Sequence, residues 1–151
     1  MHLYITVSNF IQVICEEECL LPLDFKEAGE RGGDFDLRKI FDDTLVSIRP
    51  IDAVTLVDNH DTQPGQALES WVNPQFKPLA YAFILLREQG YPCVFWGDIF
   101  GCQQDGDTPA SPPMSSLDRF IKARSLFAFG PTRDYLGEWT VTVDRGIPAV
   151  D

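Results

Sequence analysis

The most distinct pattern along the chain is an apolar segment followed at once by four polar residues. Residues 53–57, Ala-Val-Thr-Leu-Val, are apolar except for Thr55, and such a run predicts a strand that is covered on both faces. Its carboxyl end leads directly into Asp58, Asn59, His60 and Asp61. Parallel α/β folds hold ligands and catalytic groups at this end of their strands, because the loops there converge over the sheet. A functional site is therefore expected at residues 58–61.

A first strand and helix are predicted before this segment. Residues 20–23 favour a short strand that ends at residues 24–25, and glycines between residues 29 and 33 indicate a loop. Asp34 or Asp36 can cap the helix that follows. The apolar residues of that helix, spaced i, i+3 and i+4, are Leu37, Ile40 and Phe41.

Two further units are predicted after the polar residues. Residues 73–90 favour a helix, with an asparagine and a proline at its start and a glycine at its end. Residues 92–98 repeat the pattern of an apolar strand that ends in a carboxylate, here Asp98. Residues 115–130 favour a last helix, which a serine begins and a glycine ends. Strand and helix thus alternate about three times, which predicts an α/β fold with a parallel sheet.

The two ends of the chain differ from this pattern. Residues 138–144 alternate between apolar and polar side chains, which predicts a half-exposed antiparallel strand and the start of an all-β domain. Residues 1–20 show no sustained period, and they have neither Lys or Arg near the start nor a small-residue cleavage site. They are also too short and polar to span a bilayer. A cytoplasmic location is expected on these grounds.

Charge narrows the range of partners. The chain has 23 acidic and 12 basic residues and a net charge of −11, which repels phosphate backbones and anionic lipid heads. Nucleic acid and membrane surfaces are therefore not expected as partners, whereas a neutral ligand such as a sugar is compatible with this charge. The four cysteines, Cys15, Cys19, Cys93 and Cys102, lack the spacing of zinc motifs, and no metal is assigned to them.

Three segments in the right order and at the right spacing resemble one enzyme family. Residues 54–66, 76–85 and 90–98 look like the late part of the catalytic domain of the alpha-amylases, glycoside hydrolase family 13. The resemblance implies that residues 21–131 are about the sixth to eighth strand and helix units of an eightfold (β/α) TIM barrel. It implies that residues 132–151 begin the C-terminal β domain, and it leaves residues 1–20 as a divergent N-terminal segment.

The resemblance also implies roles for individual residues. Asp61 matches the family's third catalytic carboxylate, which stabilises the transition state, while His60 and Asn59 match substrate-binding positions. The implied reaction is retaining endo-hydrolysis of α-1,4-glucosidic bonds in starch or glycogen, so an α-glucan is the expected partner. The family's nucleophile and proton donor have no counterpart in this sequence, and the 151-residue chain is expected to be inactive. No cofactor is expected in this segment, although full-length relatives can hold calcium.

Two other functions remain open from the sequence. The chain could be a non-catalytic remnant that binds α-glucans without cleaving them. It could instead be an unrelated small α/β enzyme that uses Asp61 and Asp98 as its own acid pair.

Overall fold

A computed structural model describes residues 20–102 and 111–133 of the chain. The α-helices in these ranges are α1 (Leu20–Arg31), α2 (Leu45–Ile48), α3 (Lys77–Leu86), α4 (Trp96–Phe100) and α5 (Leu117–Phe127). Two short 3₁₀ helices, Gly32–Asp34 and Leu37–Lys39, lie between α1 and α2. The strands are β1 (Val54–Thr55) and β2 (Tyr91–Pro92). The mixed α/β arrangement predicted from the sequence is confirmed over this part of the chain.

Strands β1 and β2 pair in parallel, as the sequence predicts. The register places Val54 opposite Tyr91. The Tyr91 amide donates to the Ala53 carbonyl oxygen at 2.7 Å. The Cys93 amide donates to the Thr55 carbonyl oxygen, also at 2.7 Å. Because the strands are parallel and adjacent, the residues that follow their carboxyl ends are brought to the same edge of the sheet.

Gly90 allows the two strands to approach each other. Its φ is +80°, a conformation that side chains with a Cβ rarely adopt. A Cβ at this position would also lie 2.6 Å from the Cγ2 atom of Thr55 in β1. A glycine is therefore required where the chain turns from α3 into β2.

Helix α3 supplies much of the core. Its apolar face includes Tyr81 and Ile84, both buried. From α1, the ring of Phe25 stacks against the ring of Phe83 at a centroid distance of 6.2 Å and lies 6.5 Å from the ring of Phe76. Full burial of one such side chain stabilises a fold by about 1.5–3 kcal/mol. The packing of α1 on α3 therefore fixes the position of α3 behind the sheet.

Helix α5 secures the other end of α3. The guanidinium of Arg124 donates from Nη1 to the carbonyl oxygens of Leu85 and Arg87, at 2.9 and 3.0 Å. The Leu85 carbonyl belongs to the last turn of α3 and Arg87 is the residue that caps it, a place where a cation is favoured by the helix dipole and by the unpaired acceptors. Both ends of α3 are thus held in place, which matters because its first residue, Lys77, belongs to the site described below.

The strand predicted at residues 20–23 is wrong, because these residues open helix α1. The buried residues Leu21, Phe25 and Ala28 lie at i, i+4 and i+7, which is the period of one helix face. The consecutive leucines suggested a strand, but the spacing of the buried positions over the next two turns is helical. Gly29 lies within the same helix rather than in a loop.

The helix predicted after residue 34 is replaced by shorter pieces. Asp36 does act as a cap, since its carboxylate accepts from the Arg38 amide at 3.1 Å. The capped element is one 3₁₀ turn, and α2 begins only at Leu45. Asp43 has a φ of +58°, and this left-handed residue ends any continuous right-handed helix before α2.

The other predicted boundaries shift by a few residues. Helix α3 begins at Lys77, because the Asn73 carboxamide accepts from the Gln75 amide at 2.9 Å and forms a turn before the helix. The prediction that Asp98 ends a strand is wrong. Strand β2 ends at Pro92, and Asp98 lies in α4. Helix α5 follows Ser116, as predicted.

Some predictions fall on residues that lie outside the described ranges. The divergent segment at residues 1–20 lies almost wholly outside them, and the antiparallel strand at residues 138–144 lies wholly outside them. The assignment of residues 21–131 to particular units of a barrel, and of residues 132–151 to a β domain, stays a prediction. Across the described residues, no helix combines the length and the apolar character needed to cross a membrane.

Candidate active site

The polar residues after β1 form a tight turn that is held by its own side chains. The Asn59 carboxamide oxygen accepts from the amides of Asp61 and Thr62, at 2.8 and 3.0 Å. The Thr62 hydroxyl oxygen accepts from the Asn59 amide at 3.0 Å. Asparagine favours such turns because its short side chain substitutes for a backbone acceptor. Asn59 therefore fixes the backbone that carries His60 and Asp61.

His60 and Asp61 face solvent at the tip of this turn. Their side chains are 81 % and 56 % exposed, and the His60 Nε2 atom lies 3.5 Å from the Asp61 Oδ1 atom. Both groups are therefore accessible to a ligand. An imidazole and a carboxylate side by side can donate to and accept from neighbouring hydroxyl groups.

Asp58 and Asp98 are buried, in contrast to Asp61. Their side chains are 0 % and 3 % exposed. The ammonium group of Lys77 lies between them, 3.0 Å from Asp58 Oδ2 and 2.5 Å from Asp98 Oδ1. Because removing an ion from water costs several kcal/mol, buried charges of this kind depend on each other. We call Asp58, Lys77, Asp98 and the adjoining Tyr81 the buried ion cluster.

Further contacts complete the buried ion cluster. The Tyr81 hydroxyl donates to Asp98 Oδ2 at 2.6 Å. Asp58 Oδ1 accepts from the Thr62 hydroxyl at 3.2 Å and from the Val72 amide at 3.3 Å. The Lys77 ammonium also lies over the indole of Trp71, 3.0 Å from a ring centroid, where the aromatic face attracts a cation. The cluster thus connects α3 and α4 with the turn at residues 58–62.

Burial changes the protonation of the cluster. It raises the pKa of Asp58 from 3.8 to about 7, although the nearby Lys77 acts to lower that pKa. Burial, with the charge of Asp98, also raises the pKa of Tyr81, which keeps the phenol protonated as a donor. A carboxyl that titrates near neutral pH is often catalytic. Asp58 is enclosed by protein on all sides, however, so it has no direct access to a substrate.

A cleft of about 260 Å³ opens beside the cluster. It is lined by Trp71, Lys77, Asp98 and residues of the loop 111–116. Among the described residues, no group of three His, Cys, Asp or Glu side chains is placed to hold a metal ion. That no metal or cofactor binds in this segment stays a prediction.

The structure brings together residues that the sequence analysis did not connect. Asp58 and Asp98 share Lys77, although Asp98 lies in α4, six residues after the end of β2. Lys77, Tyr81 and Thr62 were not singled out from the sequence. Lys77 itself could have indicated the cluster from the sequence. It shares an apolar helix face with Tyr81 at i+4, and a buried charge there requires a charged partner, because an unpaired one would be costly.

The sequence as a whole is similar to those of known amylases, although no family model matches it. It is 46 % identical to an alpha-amylase of Bacillus licheniformis, over 95 % of this chain and 29 % of the relative. It is 47 % identical to an alpha-amylase of Geobacillus stearothermophilus, over 90 % of this chain and 24 % of the relative.

A third relative is the cytoplasmic alpha-amylase of Escherichia coli K12, 52 % identical over 73 % of this chain and 24 % of the relative. The chain therefore spans less than a third of the length of these relatives. Identity near one half over most of the chain confirms the resemblance found in the sequence. The chain belongs to the alpha-amylase family of glycoside hydrolases.

Proposed function

We propose that this chain contributes the transition-state stabiliser of a retaining α-1,4-glucan hydrolase. In this proposal Asp61 contacts the sugar at the bond that is cleaved, His60 donates a hydrogen bond to the same ring, and Asn59 holds both residues in place. The substrate class is starch, glycogen or maltooligosaccharides. The cytoplasmic location expected from the sequence remains a prediction.

The observation that carries the proposal is the contrast between Asp61 and the two buried aspartates. Asp61 is 56 % exposed, and the adjacent His60 is its one ion-pair contact among the described residues. Asp58 and Asp98 are engaged by Lys77 and closed to solvent. A carboxylate at a fixed, accessible position can bind a sugar hydroxyl more strongly in the oxocarbenium-like transition state than in the ground state.

Retaining hydrolysis also requires a nucleophile and a proton donor, whose carboxyl groups are about 5–5.5 Å apart. Asp98 is poorly suited to form such a pair with Asp61, because Lys77 and Tyr81 occupy both of its oxygens. This argues against an independent small enzyme built on Asp61 and Asp98. The two missing groups would come from residues that this sequence does not contain, so we expect the 151-residue chain alone to release no reducing sugar from starch.

The direct test uses a chimeric amylase. The aligned segment of the Bacillus licheniformis alpha-amylase, 46 % identical, is replaced by this chain. Asp61→Asn in that chimera should lower kcat by about 10²–10³-fold, with a much smaller change in KM, because the lost interaction belongs to the transition state. The matched control is Asp118→Asn, since Asp118 is an exposed aspartate on α5. An unchanged kcat for Asp61→Asn would remove Asp61 from the mechanism.

Non-catalytic glucan binding is the second candidate, and one observation favours it. Trp96 and Phe100 form an exposed aromatic pair with ring centroids 4.1 Å apart. Sugar rings stack on exposed aromatic faces, so this pair could bind a glucan without cleaving it. The test is retardation of the chain in a gel that contains soluble starch. Retardation that Trp96→Ala abolishes and Asp61→Asn leaves intact would favour this second function.

A further inference from the structure

We propose that Lys77 is a positioning residue for the glycosidase reaction, acting through Asp58 on the turn that carries Asp61. The inference rests on the proposed function for its catalytic part. The structural part concerns the link between a buried lysine on α3 and an exposed turn, and it is tested separately. Lys77 itself contacts no substrate in this proposal.

The link consists of contacts on both oxygens of one carboxylate. Lys77 lies 3.0 Å from Asp58 Oδ2. On the other oxygen, Oδ1, Asp58 accepts from the Thr62 hydroxyl at 3.2 Å and from the Val72 amide at 3.3 Å. The contact at Oδ2 is an ion pair without hydrogen-bond geometry, so the ammonium holds the carboxylate by charge. The carboxylate in turn binds two points on the chain around the turn.

Thr62 is the point at which this link enters the turn. Its hydroxyl hydrogen can reach either Asp58 Oδ1, at 3.2 Å, or the Asn59 carbonyl oxygen, at 3.3 Å. When Asp58 is ionised, its carboxylate is the stronger acceptor of the two. While the hydrogen points to Asp58, the Thr62 oxygen accepts from the Asn59 amide at 3.0 Å. Asp58 therefore orients the hydroxyl that closes the turn.

The segment after the turn is held by the same carboxylate. The Ser70 amide donates to the Thr62 carbonyl oxygen at 3.0 Å, and the Val72 amide donates to Asp58. The Asp58 carboxylate therefore binds both ends of the segment from residue 62 to residue 72. Loss of Lys77 would release both ends of this segment together, and with them the backbone of Asp61.

Tyr81 provides a matched comparison within the same cluster. Its hydroxyl donates to Asp98 and lies 3.4 Å from the Phe95 amide, so it supports the cluster on the side away from the turn. Thr62→Val and Tyr81→Phe each remove one buried or part-buried hydroxyl that binds an aspartate. Only Thr62→Val removes a hydrogen bond between the Asp58 carboxylate and the turn that carries Asp61.

The first test measures amide hydrogen exchange in the full 151-residue chain. Lys77→Met should speed exchange at Thr62 and Val72 by about tenfold or more relative to the core of α3, because the opening is local. Lys77→Arg, which keeps the cation, should restore most of the protection. Tyr81→Phe should leave these two amides protected. Equal exchange in the unaltered and Lys77→Met chains would overturn the inference, as would full exchange at Thr62 in the unaltered chain.

The second test measures kinetics in the chimeric amylase. A displacement of about 1 Å at a catalytic group can lower the rate about 100-fold, so Lys77→Met should reduce kcat by one to two orders of magnitude with little change in KM. Thr62→Val should reduce kcat by about tenfold. Lys77→Arg should recover most of the loss, and Tyr81→Phe should lower kcat less than Thr62→Val does. The control for unchanged activity is Lys122→Met, on the exposed face of α5.

The outcomes separate the two proposals. If Asp61→Asn abolishes turnover while Lys77→Met and Thr62→Val leave kcat unchanged, the proposed function stands and the positioning role is overturned. If Asp61→Asn has no effect, the proposed function fails, whatever the exchange data show for Lys77. If Tyr81→Phe lowers kcat as much as Thr62→Val does, the positioning role is overturned, and Lys77 then only stabilises the fold.

Discussion

Asp58 and Asp61 are three residues apart and have opposite environments. The Asp58 side chain is closed to solvent and contacts Lys77, whereas more than half of the Asp61 side chain is exposed. The turn at residues 59–62 separates the two, since it carries the chain from the covered end of β1 to the surface within one tight loop. One aspartate is therefore suited to hold structure and the other to meet a ligand.

The comparison shows how a ligand-facing carboxylate can be fixed without being buried. Asp61 owes its position to hydrogen bonds of the turn, including that of its own backbone amide to Asn59, and its carboxylate oxygens remain accessible. The charges that anchor those neighbours lie in the buried ion cluster, where water does not compete with them. The following predictions test this division of roles, beginning with the largest expected effect on stability.

At pH 8, above the folded-state pKa of Asp58, Lys77→Met should lower the free energy of unfolding by about 3–5 kcal/mol, because it leaves two buried carboxylates without their cation. The measurement is urea unfolding of this chain followed by circular dichroism. The control is Lys122→Met on the surface of α5, where an exposed pair with Asp118 at 3.8 Å is worth at most about 1 kcal/mol. Similar losses in both variants would contradict the burial argument.

The stability of the chain should fall as pH rises from about 4 to about 7, owing to Asp58. Burial raises its folded-state pKa from 3.8 to about 7, so the folded state binds this proton more tightly than the unfolded state. The stabilisation is complete below the unfolded pKa and is lost as pH passes the folded pKa, a change of about 2–4 kcal/mol. Asp24, whose burial raises its pKa to about 6, acts in the same direction.

Asp58→Asn isolates this contribution. The difference between the unfolding free energies of the unaltered and variant chains, measured at intervals from pH 4 to pH 8, removes the effects of Asp24 and of other carboxyls. We expect the difference to change with pH in the window of Asp58. A constant difference would show that the Asp58 carboxyl keeps its ordinary pKa in the folded chain.

Asn59→Ala should cost about 1 kcal/mol of stability, because the amides of Asp61 and Thr62 lose their shared acceptor at a partly exposed site. Asn73→Ala is the matched control, since the Asn73 carboxamide accepts from a single amide, that of Gln75. Thermal unfolding of both variants measures the difference. A smaller loss for Asn59→Ala than for Asn73→Ala would mean that the turn does not depend on its asparagine.

His60→Ala should change the free energy of unfolding by less than about 0.5 kcal/mol, since the imidazole is largely exposed. In the chimeric amylase the same substitution should weaken sugar binding and lower kcat. Each of these losses should be smaller than the loss of kcat caused by Asp61→Asn. The pair of measurements separates ligand contact from folding. A large loss of stability would place His60 with the structural residues instead.

Much of the local structure was predictable because it depends on short-range features. The apolar residues before Asp58 and before Asp98 predicted two parallel strands. The structure pairs Val54–Thr55 with Tyr91–Pro92 in parallel, so the second strand overlaps its predicted range only at Pro92. The helix between them was predicted from its period and its terminal residues. The cap at Asp36 was also found from the sequence, since such a contact spans only two residues. The strand at residues 20–23 failed, because four residues are too few to distinguish the periods of strand and helix.

The candidate site also has a part that was predictable from the sequence and a part that was not. The position after an apolar strand indicated residues 58–61, and the alpha-amylase resemblance indicated Asn59, His60 and Asp61. The structure buries Asp58, so it is not a ligand-facing residue as the position alone suggested. It grouped Asp98 with Asp61 as a possible acid pair, and the structure instead encloses Asp98 with Lys77 and Tyr81.

What the sequence determined by itself is the order of elements and the polar turn, because periodicity, caps and turn residues act over a few positions. What only the tertiary structure decided is which aspartate is free to act. Lys77 lies 19 residues after Asp58 and 21 residues before Asp98, and it meets both only when α3 packs behind the paired strands. The cost of burying charge then pairs these three groups and leaves Asp61 at the surface.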